Sequence, residues 1–406
     1  MVYLHVPFCR SFCTYCDFYS EIACRDRDAQ LFESFTASVC AEASRRRDEI
    51  EATRDLNTLY IGGGTPSVLP LICLQQIVLS LTGGVRSEAS RHRPMFSEFT
   101  IEVNPEDIVE KGAEYVRGLL DLGVNRVSMG VQSLDDGILR WMNRRHDAAH
   151  ARQAFGILRE AGVCNISVDL IFGLSQLTED TLAQTLSEIV AWRPEHVSAY
   201  QLSIEEGSAL GRLVREGKYH EATQEQCAAQ YALICRMLRE AGYGHYEISN
   251  WALPGREAVH NSAYWSRHPY VGIGPSAHSF DGHTRYWNND ELPPAQAATA
   301  PGNRATLGIV RGRGPSSDGR GPAQPDVSRG SWPLRGGREL LSKEEAREEE
   351  IMLGLRTARG IPEGLPDPDR AAAALADGRL VRLPDGRLRI PEDRWFVSDD
   401  IIADLI

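Results

Sequence analysis

Short apolar runs alternate with longer amphipathic stretches from the first residues to about position 250. The runs "VYLHV" (2–6), "TLYIG" (58–62), "FTIEV" (99–103), "RVSMGV" (126–131), "ISVDLIF" (166–172), "HVSAYQL" (196–202) and "YEIS" (246–249) are candidate strands, rich in Val and Ile. Between them lie stretches such as "DTLAQTLSEIVAW" (180–192), whose apolar residues recur at three- and four-residue spacing, as on a helix with one buried stripe. Strand, helix, strand repeated in this way predicts an α/β domain over 1–250. Its parallel sheet is open or closed into a barrel, with the strands buried on both faces. Residues 251–291 extend it.

The pattern breaks near residue 292. From 292 to 340 the chain is dense in Gly, Pro, Ser and Arg, as in "GIVRGRGPSSDGRGPAQPDVSRG", and has little to bury. A disordered surface insertion is the expectation, with its arginines leaving a tethering role open. A small unit follows over 341–406. Ser342 and Glu345 form a capping-box pattern ahead of "AREEEIMLGLRTARG", a helix stopped by Gly360. "RLVRLPDGRLRI" reads as a hairpin turning at Pro384, Asp385 and Gly386, and Ser398 as the cap of a last helix. Helix plus hairpin suggests a winged-helix-like module, for which the acidic surroundings favour packing or a partner protein over DNA.

Composition narrows the function. The chain has 406 residues, 42% hydrophobic and 25% charged, with a formal net charge of −12, which argues against nucleic acid as its main partner. No run of about 20 apolar residues would span a membrane. The opening "MVYLHVPF" lacks the basic region and apolar core of a signal peptide, so the cytoplasm is the expected compartment. The cysteine usage agrees. Of nine cysteines, Cys24, Cys40, Cys73, Cys164, Cys227 and Cys235 are scattered, as buried thiols in a reducing compartment would be.

The other three fall together in "FCRSFCTYCDF". Cys9, Cys13 and Cys16 follow the first strand in a loop opened by Pro7. Structural zinc wants four protein ligands, and neither His5 nor Cys24 is an obvious fourth. The zinc deaminase signature needs a His/Cys-x-Glu partner that is not found. An iron–sulfur cubane held by three thiolates leaves one iron open to an exogenous ligand, which a four-cysteine electron-transfer cluster does not. Polar residues recur at the C-terminal ends of the other strands, where α/β barrels carry their chemistry. "GGGTP" (62–66) ends the second, either approaching a ligand with backbone N–H groups or making a tight turn. Glu102, Gln132 and Asp169 hold like places on later strands, and Arg144 follows in "MNRRH". Glu102 suits an amine or ribose hydroxyl and Arg144 a carboxylate. Any one of them alone could equally be a satisfied buried polar group.

C-x3-C-x2-C with Tyr15 before the third cysteine resembles the cluster motif of the radical S-adenosylmethionine superfamily. The resemblance implies a [4Fe–4S] cluster whose open iron chelates S-adenosylmethionine. "YLHVPFCRSFCTYCDF", "YIGGGTPS", "IEVNPE", "NRVSMGVQS", "ISVDLIFGL" and "YEISNWALPG…HNSAYW" further resemble the oxygen-independent coproporphyrinogen oxidase family, over about 2–290 and again over 345–406. This implies a partial (β/α)6, TIM-like barrel. By motif it places Tyr3, Tyr15, Gly63, Gly64, Thr65 and Glu102 beside the nucleotide. Gln132, Arg144 and Asp169 match positions that contact a second S-adenosylmethionine in the oxidase.

The family has two branches. The oxidase decarboxylates two propionates of a porphyrinogen and carries C-x3-C-x2-C-x-C with an N-terminal arm. Here Phe18 holds the fourth-cysteine position and the chain begins at the strand. "HNSAYW" (260–265) and the closing "RWFVSDDIIADLI" resemble the HemW-type heme-chaperone branch instead. "GLSQLT" (173–178) departs from that branch's Gly-Leu-Pro-Gly-Gln-Thr. The resemblance implies binding of heme and its transfer to acceptor hemoproteins, respiratory and membrane-associated ones among them. The oxidase, a radical enzyme on another substrate and a zinc loop are the alternatives. Physically, His260 could offer imidazole to heme iron, with Tyr264 and Trp265 as flat apolar surface and His278 as a rival ligand.

Overall fold

The computed structural model describes residues 1–23, 28–83, 95–292 and 335–406. Six parallel strands form the frame: β1 (Val2–Val6), β2 (Thr58–Gly63), β3 (Glu98–Val103), β4 (Arg126–Gln132), β5 (Ile166–Phe172) and β6 (His196–Gln201). Each is followed by a helix: α1 (Asp28–Arg45), α2 (Leu71–Thr82), α3 (Pro105–Asp121), α4 (Ala148–Glu160), α5 (Glu179–Trp192) and α6 (Gln224–Glu240). The helices start where the chain supplies side-chain acceptors: Asp147, Thr178 and Thr223 each cap a backbone N–H of the first turn. The strands pair in chain order, so the sheet is a (β/α)6 array.

The sheet does not close. β9 (Val271–Ile273) adds in parallel outside β1. At the other edge β8 (Asn250–Ala252) pairs antiparallel with β6, and β7 (Gly244–Glu247) pairs antiparallel with β8. The run "YEIS" therefore belongs to a hairpin rather than to a seventh parallel strand, and its strand lies at 244–247. An antiparallel edge ends the barrel because the chain turns back at Ile248 and Ser249 without a crossover helix.

The two faces of the strands differ. Leu59 and Ile61, Phe99 and Ile101, Val127 and Met129, Val168 and Leu170, Val197 and Ala199 are buried in the main apolar core. The alternate positions, among them Tyr60, Glu102, Ser128, Asp169 and Ser198, line a central cavity. The strands are largely buried on both faces, as expected, but the inward face is polar rather than apolar. Period-2 alternation puts a polar row inside, where it lines a cavity instead of packing into a core.

The N-terminal end of the barrel is stoppered by α7 (Val259–Trp265). Glu98, buried at the start of β3, accepts the backbone N–H groups of Val259 (2.8 Å) and His260 (2.9 Å). A carboxylate from a neighbouring strand thus satisfies donors that the helix start leaves unpaired.

A second sheet lies beside β9. β10 (His278–Phe280) and β11 (Thr284–Asn288) are antiparallel, and β12 (Arg335–Leu340) adds to β11. Residues 335–340, placed with the insertion on composition, are therefore a strand; 293–334, the rest of that reading, lie outside the described residues. Gly336 and Gly337 are what let β12 pass the Trp287 indole, since a Cβ at either would meet the ring within 2.7 Å. The C-terminal unit comprises α8 (Lys343–Leu355), α9 (Pro368–Ala376), a hairpin pairing Val381–Arg382 with Leu388–Arg389, and a last helix, Ser398–Ala403. The Ser342–Glu345 capping box is present and Gly386 turns the hairpin with φ +86°. Two expectations fail here. α8 ends at Leu355, five residues before Gly360, whose φ of +65° instead turns the chain into Ile361, bridged to Leu388. Ser398 is the first helical residue, buried and without a capping bond. The unit docks through His245, stacked on Trp251 (4.1 Å between centroids) and met edge-on by Trp395 (4.3 Å), with Nδ1 3.1 Å from Glu392. Among the described residues no helix is long and apolar enough to cross a membrane.

Replacing Glu98 by Ala strands two buried N–H groups at the start of α7. The expected cost is roughly 2–4 kcal/mol, seen as a lower melting temperature that Glu98→Gln restores in part. An unchanged melting temperature in Glu98→Ala would show that α7 does not depend on this carboxylate.

Candidate functional site

The cysteine loop hangs over the C-terminal ends of the strands and is tied on both sides. Phe8–Cys9 pairs in parallel with Glu21–Ile22, and Phe8 is buried edge-on against Phe32 and Phe35 at 5.0 and 5.1 Å. Across the mouth, Thr14 donates through its N–H to the carbonyl of Met142 (3.0 Å) and through its hydroxyl to that of Trp141 (2.9 Å). Asn143 donates to the Phe12 carbonyl (2.7 Å). These bonds fix the loop to the segment after β4, and Cys9, Cys13 and Cys16 face one cavity of about 610 Å³. That volume suits a small-molecule site.

A hydrogen-bond chain backs the sulfurs. The Thr65 hydroxyl donates to Cys9 Sγ (3.6 Å), and Arg144 Nη1 donates to Cys13 Sγ (3.5 Å). Arg144 Nη2 also donates to Asn104 Oδ1 (2.7 Å) and the Gly130 carbonyl (2.8 Å), while its buried Nε has no partner. Burial pushes the Cys9 thiol up, opposed by hydrogen bonds from Thr65 and Ser20. Burial likewise pushes the Cys16 thiol up to about 11, opposed by a backbone hydrogen bond from Phe18. Without metal, burial favours the protonated form of Cys9 and Cys16, and among the described residues no carboxylate hydrogen-bonds the enclosed guanidinium, although Glu106 acts on it through space. Thiolates on a metal would add negative charge where Arg144 and Thr65 already point donors at the sulfurs, so the donor set fits an iron–sulfur cluster.

The glycine run is shaped by its neighbours. A Cβ on Gly63 (φ +110°) would lie 2.7 Å from the His5 ring, and one on Gly64 would lie 2.8 Å from the Phe8 carbonyl oxygen and 3.0 Å from Cys9 Sγ. The Gly63 N–H is already given to Glu102 (3.1 Å) and that of Gly64 to the Val6 carbonyl (2.8 Å). Both glycines line the cavity, but the reading in which their N–H groups meet a ligand is corrected, because both donors are committed to the fold. Tyr15, Thr65, Glu102, Gln132, Arg144 and Asp169 also line the cavity. Tyr3 does not: it stands behind the wall, its hydroxyl 3.1 Å from His5 Nδ1. Gln132 is turned inward by a left-handed backbone (φ +65°) where the register between β4 and β5 slips. Asp169 accepts from the hydroxyls of Ser128 (2.7 Å) and Ser167 (3.2 Å).

His260 is a structural histidine. It is 0% exposed, and Nδ1 lies 2.8 Å from the Thr58 hydroxyl and Nε2 3.1 Å from that of Tyr264. Burial holds its pKa down to about 3, and it is absent from the cavity lining, although its neighbour Asn261 is there. With both ring nitrogens bonded at the closed end of the barrel, its reading as a heme ligand is corrected. His278 is exposed and stacks on Trp287 (5.6 Å, 21° between planes). The "GLSQLT" loop also lies off the cavity, with Gly173 N–H bonded to Gln230 and the Leu177 carbonyl to Gln226 and Gln230. Sequence reasoning missed Tyr60, Asn104 and the serines Ser128, Ser167 and Ser198, though the alternation of serine with apolar residues on β4 to β6 was a usable signal.

Glu102 also accepts from the Tyr60 hydroxyl (2.8 Å). Burial raises its pKa from the ordinary 4.5 to about 7, with the Asp169 charge adding to the rise. Between those values the folded carboxyl keeps a proton that the unfolded chain has lost, so this group makes folding less favourable as pH rises. Glu102→Gln lacks the effect. Its melting temperature should gain on that of the native protein from about pH 4.5 to 7 and hold a constant lead above. A pH-independent difference would contradict the raised pKa.

Comparison with known proteins agrees with this geometry. The profile of the Radical SAM superfamily matches residues 3–189. The heme chaperone HemW of Mycobacterium tuberculosis is 32% identical over 95% of this chain and 92% of its own length. Those of Lactococcus lactis and Bacillus subtilis are 30% identical over 88% of this chain and 82% and 84% of theirs. The coproporphyrinogen III oxidase HemN from Escherichia coli, a radical SAM enzyme, superposes with a TM-score of 0.71 over 99% of this chain and 89% of its own. At 18% identity that likeness is one of fold. Membership of the superfamily implies a [4Fe–4S] cluster and S-adenosylmethionine, which the three-thiol cavity fits. The chain belongs to the HemW heme-chaperone family of radical SAM proteins.

Proposed function

We propose that this protein binds heme and passes it to acceptor hemoproteins, respiratory ones among them, in the cytoplasm. In this reading Cys9, Cys13 and Cys16 hold one [4Fe–4S] cluster and S-adenosylmethionine takes its open iron. The observation that carries it is a cavity wall with three converging thiols and, among the described residues, no fourth, in a chain whose relatives over most of its length are named heme chaperones. Bound there, the cluster and S-adenosylmethionine supply one-electron reductive chemistry at the sulfonium. The protein's own part is to hold and screen. Glu102 and Tyr60 offer hydrogen-bonding groups to an amine or ribose, Asp169 and Gln132 extend the polar wall, and Arg144 balances charge. Tyr15 packs beside the thiols, while Tyr3 acts from behind the wall through His5.

With His260 closed off, His278 is the better candidate for the iron of heme. Partial burial lowers its pKa, so the imidazole is neutral at pH 7, and Trp287 beneath it offers a flat aromatic face. The oxidase reading has less behind it, because the likeness to HemN is one of fold.

Titrating the cluster-loaded protein with heme should give a Soret shift that saturates near one equivalent; no stoichiometric shift would sink the heme reading. His278→Ala should lose the imidazole-ligated spectrum. His260→Ala should keep it and melt at lower temperature, since Thr58 and Tyr264 lose their partner. The opposite pattern would return the ligand to His260.

A further inference from the structure

Thr65, Asn104 and Arg144 come from three separate segments: the turn after β2, the end of β3 and the turn that follows the short helix Asp136–Trp141. They meet in one unbroken chain. Thr65 Oγ1 donates to Cys9 Sγ (3.6 Å) and accepts from Asn104 Nδ2 (3.1 Å). Asn104 Oδ1 accepts from Arg144 Nη2 (2.7 Å), and Arg144 Nη1 donates to Cys13 Sγ (3.5 Å). The chain thus starts on one cysteine sulfur and ends on another. Each polar group in it points the way a thiolate requires: both terminal groups are donors, and Asn104 is oriented by giving its NH₂ to Thr65 and its oxygen to Arg144. The guanidinium hydrogen-bonds a sulfur, an amide oxygen and the Gly130 carbonyl, while the Glu106 carboxylate acts on it only through space.

We infer that the Thr65–Asn104–Arg144 bridge is a positioning device that raises the reduction potential of the cluster held by Cys9 and Cys13. The inference rests on the cluster reading proposed above and assigns Arg144 to the cluster itself. Reduction takes one electron from an external donor such as dithionite and breaks no bond, leaving the cluster one unit more negative. Donors on two sulfurs and an enclosed cation stabilise the more negative state, so they ease reduction. Asn104 carries no charge, and its role is to hold the two donors on their sulfurs.

Potentiometric titration of the reconstituted full chain, followed by the EPR signal of the reduced cluster, tests this. Arg144→Met should lower the midpoint so that the reduced-to-oxidised ratio at fixed potential falls on the order of tenfold, about 59 mV for a one-electron couple. Arg144→Lys, which keeps the charge and loses the fork, should recover part of that shift. Thr65→Val keeps the shape and removes only the hydroxyl, and should shift the midpoint in the same direction by less. Iron and sulfide contents equal to the native protein's must accompany each value. If Arg144→Met does not load, Thr65→Val decides: a native midpoint in loaded Thr65→Val overturns the inference. A native protein that reconstitutes no cluster would instead overturn the reading beneath it.

Discussion

A guanidinium withdrawn from bulk water must find negative charge nearby; Arg144 hydrogen-bonds a sulfur, an amide oxygen and a carbonyl, and Glu106 is the carboxylate that acts on it through space. The mouth of the barrel is arranged about that requirement. Thr14 is bonded to the carbonyls of Trp141 and Met142, so the loop that carries Cys13 and the segment that carries Arg144 are tied as one piece. The Gly130 carbonyl and the Asn104 amide complete the cage from the ends of β4 and β3. Burial pushes the Cys9 and Cys16 thiols up, and the Arg144 charge opposes that rise at both.

Alternation along the strands then divides the molecule. Apolar positions face the helices and make the core, and the polar row faces a cavity open at the cysteine end. At the other end α7 is bolted to β2 and β3 through His260 and Glu98. The "HNSAYW" segment is a stopper in this structure, and only Asn261 of it reaches the cavity floor. In the account proposed here, heme is therefore handled on a surface apart from the cluster cavity, on the sheet that carries His278 and Trp287.

Much of this was legible in the sequence. The six strands were, because a parallel array imposes long apolar runs at regular intervals, and the cysteine loop was, because three thiols at that spacing have few other uses. Side-chain direction was harder to read. A histidine beside aromatic residues suits a ligand or a packed stopper equally well, and only Thr58 and Tyr264, brought in from the fold, decide against the ligand. Asn104 passed unnoticed because its contacts come from residues 39 and 40 positions away. β12 was lost in the Gly- and Arg-rich composition around it, although its two glycines are what admit it beside Trp287. Phe18 separated the branches correctly as a missing cysteine, and the structure adds that it is 71% exposed while its backbone hydrogen-bonds Cys16.

The central claim is that three cysteines hold a cluster with one iron left for S-adenosylmethionine. The most direct measurement is pulsed electron–nuclear double resonance on the reduced, reconstituted protein with S-adenosylmethionine labelled with ¹⁵N at its amino group. A ¹⁵N hyperfine coupling of the size expected for direct iron coordination is the predicted result. A fully loaded cluster with no such coupling at saturating S-adenosylmethionine would contradict the account.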